Sequence, residues 1–95
     1  VIQREAPSSS GFSVSANSDT GVLIIDPAGA YATGTVVLPA NPTNQQRFEV
    51  VATKSVTTVT FTTSKTISNA PTTLTAGISV ALIYYDANNT WYRLY

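Results

Sequence analysis

The chain has 95 residues, so it holds one domain. It has no Cys and no His, which removes disulfides, thiolate ligands, the commonest metal ligand and the commonest general base. Five Lys and Arg balance five Asp and Glu, and only 11% of residues are charged, so neither nucleic-acid phosphate nor an anionic membrane is attracted by charge.

So short a chain buries only roughly 60–65% of its unfolded surface and is marginal as a monomer. With 43% hydrophobic residues and few charges, two readings stand: a surface coated in Ser and Thr, or one partly covered by other subunits. No apolar run is long enough for a transmembrane helix. The first residues lack the basic and apolar regions of a signal peptide. A start at Val1 fits either a processed initiator Met or an excised fragment.

Residues 1–11 read as an extended N-terminal arm. Pro7 and the run Ser8-Ser9-Ser10-Gly11 disfavour helix and central strand. Val1 and Ile2 give the arm an apolar tip, suited to packing on a neighbouring subunit. Residues 12–95 read as the folded domain. The stretch 12–16 alternates Phe, Ser, Val, Ser, Ala, the period of a half-buried strand. Residues 17–21 form a turn. Val22–Ile25 is aliphatic throughout and bounded by Gly21 and Asp26-Pro27, as in a strand buried on both faces. A loop carrying Tyr31 follows, then a strand over 33–38 stopped by Pro39, then a polar loop.

Alternation over 47–53 places Phe48, Val50 and Ala52 on one face. Over 56–63, Val59 and Phe61 oppose Thr58, Thr60 and Thr62, a ladder expected to be a solvated sheet face. Short strands are expected at Thr66–Ser68 and 73–75. Residues 78–85 and 90–95 form a hairpin around Asp86-Ala87-Asn88-Asn89, whose residues favour turns. About eight short strands at spacings near ten residues predict an all-β fold: a single-domain antiparallel β-sandwich or barrel closed by the C-terminal hairpin.

Nothing in the sequence resembles a catalytic set. Asp19 and Asp86 sit in turns, Asp26 ends a strand and Glu49 stands beside Arg47, so no two carboxylates are close enough in sequence to suggest paired acid–base work. No phosphate-binding glycine loop or calcium loop is present. The expectation is therefore a non-enzyme, with no catalytic residue, cofactor or metal. Tyr84, Tyr85, Trp91, Tyr92 and Tyr95 are read chiefly as core packing, with outer-face members such as Tyr85 available for contacts.

Two segments resemble a known module. One is residues 21–42, which includes Leu38-Pro39-Ala40 before a polar loop. The other is residues 70–94, with Tyr85-Asp86-Ala87 followed by Trp91-Tyr92-Arg93 across the hairpin. Both are similar to a small β-rich structural module of tailed-bacteriophage virions, over about three-quarters of the chain. The resemblance implies a virion structural protein made in the host bacterial cytoplasm. Its first placement is a homotrimeric capsid decoration, or cement, protein on the outer capsid surface, bridging subunits of the major capsid protein. Its alternative is a trimeric tail-fibre or receptor-binding module that recognises a host surface receptor, glycan or protein. Expected interface residues are Val1, Ile2, Arg4, Tyr31, Tyr85, Trp91 and Tyr95, with no nucleic acid and no membrane insertion.

Overall fold

A computed structural model describes residues 2–18 and 20–95; Val1 lies outside the described residues. Among these residues are nine strands and one 3-10 turn. The strands are β1 (Ile2–Glu5), β2 (Phe12–Ser15), β3 (Val22–Ile25), β4 (Tyr31–Val37), β5 (Arg47–Ala52), β6 (Val56–Thr62), β7 (Thr66–Ser68), β8 (Ser79–Tyr85) and β9 (Thr90–Arg93). Asp86–Asn88 is the 3-10 turn, closed by Asn89 in the left-handed region at φ 50°.

The strands fall into a six-stranded sheet, order β1-β3-β5-β8-β9-β7, and a three-stranded sheet, order β2-β4-β6. From β1 to β6 the chain alternates between the two sheets. Every neighbour pair it makes on the way is parallel: β1 with β3, β3 with β5, β2 with β4 and β4 with β6. Three coils, β1–β2, β3–β4 and β5–β6, are therefore stacked on one another. Ile2, Val22 and Glu49 form one rung, and Phe12, Gly34 and Val59 another. The spacing between rungs is roughly 20–27 residues, within the range of solenoid repeats.

This is a β-solenoid. It replaces the antiparallel sandwich or barrel expected from the strand pattern. Most strand positions agree, although 73–75 makes only the single Leu74 bridge and Tyr31, read in a loop, begins β4; alternation along one strand carries no information about the direction of its neighbour. Residues 2–5, expected in an extended arm, supply the first strand of the stack.

The core lies between the sheets. Leu23, Ile25, Phe48, Val50, Ala52, Leu82 and Trp91 face inward from the six-stranded sheet. Phe12, Val14, Val36, Val59 and Phe61 meet them from the three-stranded sheet. Gly34 is required by this packing: a Cβ there would collide with the Phe12 ring on the adjacent rung.

The two ends of the stack close differently. At the β1 end, Gln3 and Glu5 share the inward side with Leu23 and Ile25. Gln3 uses its whole amide: Nε2 donates to the Ser15 carbonyl at 2.9 Å and to Glu5 Oε2 at 3.1 Å. Its Oε1 accepts from the Asn17 backbone N–H at 2.8 Å and from the buried Thr20 hydroxyl at 2.7 Å. This polar network bridges the sheets and ends the apolar core, and a short edge strand with polar inward residues discourages further pairing.

At the other end, β8 pairs antiparallel with β5, β9 antiparallel with β8, and β7 parallel with β9. β7 thus runs in the direction of β5, as a fourth rung would, but the β8–β9 hairpin stands between them. The three-stranded sheet is finished by Leu74, which bridges Val56 in antiparallel fashion. Thr72 extends that contact by accepting the Val59 backbone N–H.

Candidate functional site: the outer face of the six-stranded sheet

The period of two that buries one side of each strand exposes the other. On the three-stranded sheet the outward residues are Ser13 and Ser15 from β2, Thr33, Thr35 and Val37 from β4, and Thr58, Thr60 and Thr62 from β6. Ser13, Thr35 and Thr60 form one rung of hydroxyls, as the Thr ladder predicted.

The outward side of the six-stranded sheet is different in kind. Ile2 faces out beside Val22, and Arg4 beside Ile24 and Val51. On the inserted hairpin Ile83, Tyr85 and Tyr92 face out, Ile83 directly opposite Tyr92. Ile2 is 68% exposed, Tyr85 46% and Tyr92 37%, while Val22, Ile24, Val51 and Ile83 are half-buried. Strands of a parallel sheet that are aliphatic on both faces are ordinarily covered on both.

Polar contacts frame this face. At one rim the Arg4 Nη2 donates to Asp26 Oδ2 at 2.6 Å and the Thr53 hydroxyl donates to Asp26 Oδ1 at 2.7 Å. The Thr53 hydroxyl first, then Arg4, hold the Asp26 carboxyl below its ordinary range. Across the middle, Arg47 Nε donates to Glu49 Oε1 at 2.9 Å and Arg47 Nη2 to the Tyr95 hydroxyl at 3.3 Å. The Tyr95 hydroxyl donates in turn to Glu49 Oε2 at 3.1 Å. The Tyr95 hydroxyl first, then the Glu49 charge, hold the Arg47 guanidinium more firmly protonated. Both ion pairs are exposed, so they neutralise charge without adding much stability. The face presents apolar surface with few free charges.

Of the expected interface residues, this face brings together Ile2, Arg4, Tyr85 and Tyr95. Tyr31 lies elsewhere: its ring packs on Phe12 with centroids 6.1 Å apart, and its hydroxyl donates to the Pro7 carbonyl. Trp91 is a correction. It is fully buried, with its ring 5.3 Å from Tyr84 and 6.4 Å from Phe48, because it shares the inward side of the hairpin with Tyr84. Val22, Ile24, Val51 and Ile83 were not anticipated as surface. The signal was present in the uninterrupted aliphatic run Val22–Ile25, which leaves no polar side to face water.

Among the described residues no group of three or more carboxylates converges as a metal site would need. One shallow concavity of about 500 Å³ opens at the far edge of the six-stranded sheet, lined by Asn69, Ala70, Arg93, Leu94 and Tyr95.

No protein-family model and no curated protein matches the chain. A chain in a solved structure of a chaperone–substrate complex is similar in fold, with a TM-score of 0.58 and 17% identity over 96% of this chain. The present chain spans 17% of the length of that one. The likeness concerns the backbone arrangement.

Proposed function

We propose that the chain is a non-enzymatic structural module of a bacteriophage virion, acting as a homotrimeric tail-fibre or receptor-binding unit. It associates through the outer face of the six-stranded sheet. The observation that carries this is the contrast between the two outer faces. One is a hydroxyl ladder suited to water; the other is an aliphatic and aromatic surface whose charges are already paired. The virion assignment comes from the resemblance of residues 21–42 and 70–94 to phage modules.

The stacked parallel coils favour the tail over the capsid. A solenoid extends along one axis, as a fibre does. The capsid-decoration reading drew on a free N-terminal arm to clamp a neighbour, whereas residues 2–5 are engaged as β1 with β3.

Sedimentation velocity tests the association: a trimer is expected, and a monodisperse monomer at tens of micromolar overturns it. Antibody labelling of virions tests the placement. Label at the tail is expected, and label spread over the head returns the module to the capsid.

A further inference from the structure

The chain has three arginines, and two are consumed. Arg4 is paired with Asp26 and Arg47 with Glu49. Among the described residues no carboxylate pairs with the third, Arg93, which instead lines the concavity at the β7–β9 edge. We infer that this concavity is a binding site for a small oxyanion-bearing ligand, held by the Arg93 guanidinium with the Asn69 amide beside it.

Backbone geometry sets these two side chains next to each other. β7 runs parallel to β9 with Ser68 opposite Tyr92, so the residues that follow, Asn69 and Arg93, are neighbours at the strand ends. Asn69 adopts a left-handed turn conformation at φ 56°, which ends β7 and carries the chain away from the sheet. Its side chain makes no hydrogen bond to another described residue, nor does that of Arg93, so the donors of both remain for a ligand. Ala70, Leu94 and Tyr95 complete a lining that is more polar than apolar, with Leu94 and Tyr95 each about half exposed. The Tyr95 ring is steadied from outside the site, because Arg47 and Glu49 hold its hydroxyl and the Arg47 guanidinium lies 5.9 Å from the ring centroid.

A guanidinium is a planar fork that matches the two oxygens of a carboxylate or phosphate. The Asn69 amide adds a directional donor or acceptor, and Leu94 with Tyr95 provides a surface for the ligand's carbon skeleton. The ligand class is therefore a compact acid: a charged head at Arg93 and a body lying on Leu94 and Tyr95. The volume, about 500 Å³, is within the range of small-molecule sites. Because the site is shallow and open, its affinity for a single small acid is expected to be millimolar.

The site shares Tyr95 with the face proposed for association, but Asn69, Arg93 and Leu94 lie at the sheet edge, and the test reads binding rather than oligomeric state. Titrate the full chain with galacturonate, with neutral galactose and with inorganic phosphate, and follow backbone amide shifts by NMR. Galacturonate is expected to move the amides of Asn69, Arg93, Leu94 and Tyr95 saturably, and galactose to leave them in place. A response to galacturonate alone assigns a carboxylate; an equal response to phosphate assigns an oxyanion of either kind. Arg93→Gln should abolish the response, and Arg93→Lys, which keeps the charge but not the fork, should weaken it by about tenfold. Arg93 is exposed, and a retained amide spectrum of each variant confirms folding. No saturable shift with either acid, or shifts that persist in Arg93→Gln, overturns the assignment.

Discussion

The two sheets share a core and differ in what they show the outside. In the three-stranded sheet every outward rung is Ser or Thr apart from Val37, and a β-branched hydroxyl satisfies both the pleat and the solvent. In the six-stranded sheet the outward positions hold Ile2, Val22, Ile24, Val51, Ile83, Tyr85 and Tyr92, with Ser79 and the ion-paired Arg4, Arg47 and Glu49 among them. The backbone demands are nearly alike on both sides, so the difference in side chains reflects what lies opposite each face. An apolar-rich outer face on one side only is the surface that the proposed association would cover.

Paired substitutions would break this contrast most directly. If the proposed trimer forms, Val51→Lys, beside Ile24 on the aliphatic patch, should convert it to monomer in sedimentation velocity, while Thr60→Lys on the hydroxyl ladder should leave it intact. Equal behaviour of the two variants would mean that the faces do not differ in role.

The interior offers the next effect. Gly34→Ala places a methyl against Phe12 and should destabilise by about 1–3 kcal/mol in urea unfolding, the usual cost of overpacking. An unchanged midpoint would show that Phe12 can move aside and that the rung is loosely packed.

At the β1 end, Gln3→Ala leaves the buried Thr20 hydroxyl and the Asn17 N–H without their acceptor. The expected loss is about 1–3 kcal/mol, read from thermal unfolding. A neutral result would mean that water replaces the amide and that the end of the stack is open.

The smallest effect is acid sensitivity at the rim of the apolar face. Asp26 has a folded-state pKa below its unfolded one, so its contribution is present above the ordinary carboxylate range and is lost as pH falls through the folded value. Asp26→Asn should flatten the acid limb of the stability curve below about pH 4. A limb of unchanged slope would assign the acid loss to other carboxylates.

Most of the strands could be read from the residues, with β1 the exception. Val22–Ile25 and Thr66–Ser68 were located to the residue, because Gly21, Asp26-Pro27 and Asn69-Ala70-Pro71 punctuate the chain there. Strand direction could not be read, since parallel pairing arises from contacts between residues a coil apart. Nor do the rungs repeat in type: Ile2, Val22 and Glu49 stack on one another with no common side chain. Alternation correctly divided the hairpin aromatics into two sets, Tyr84 on one side and Tyr85 on the other. Trp91 was read both as core packing and as an interface residue; Tyr84 and Phe48 enclose it, so only the first reading holds. Gln3 looked like one polar residue in a tail; its four bonds depend on a fold that brings residues 15, 17 and 20 around it.

The β8–β9 hairpin enters the six-stranded sheet between β5 and a strand running the same way, rather than adding at a free margin. Lengthening therefore happens from within, in the manner of a wedge driven into a stack of plates. The three coils below are held by their own ladders, β1 to β3 to β5 and β2 to β4 to β6, which the wedge does not interrupt. Tyr85, Tyr92 and the Asp86–Asn88 turn can accordingly be exchanged as a cassette, provided Tyr84 and Trp91 continue to fill the seam.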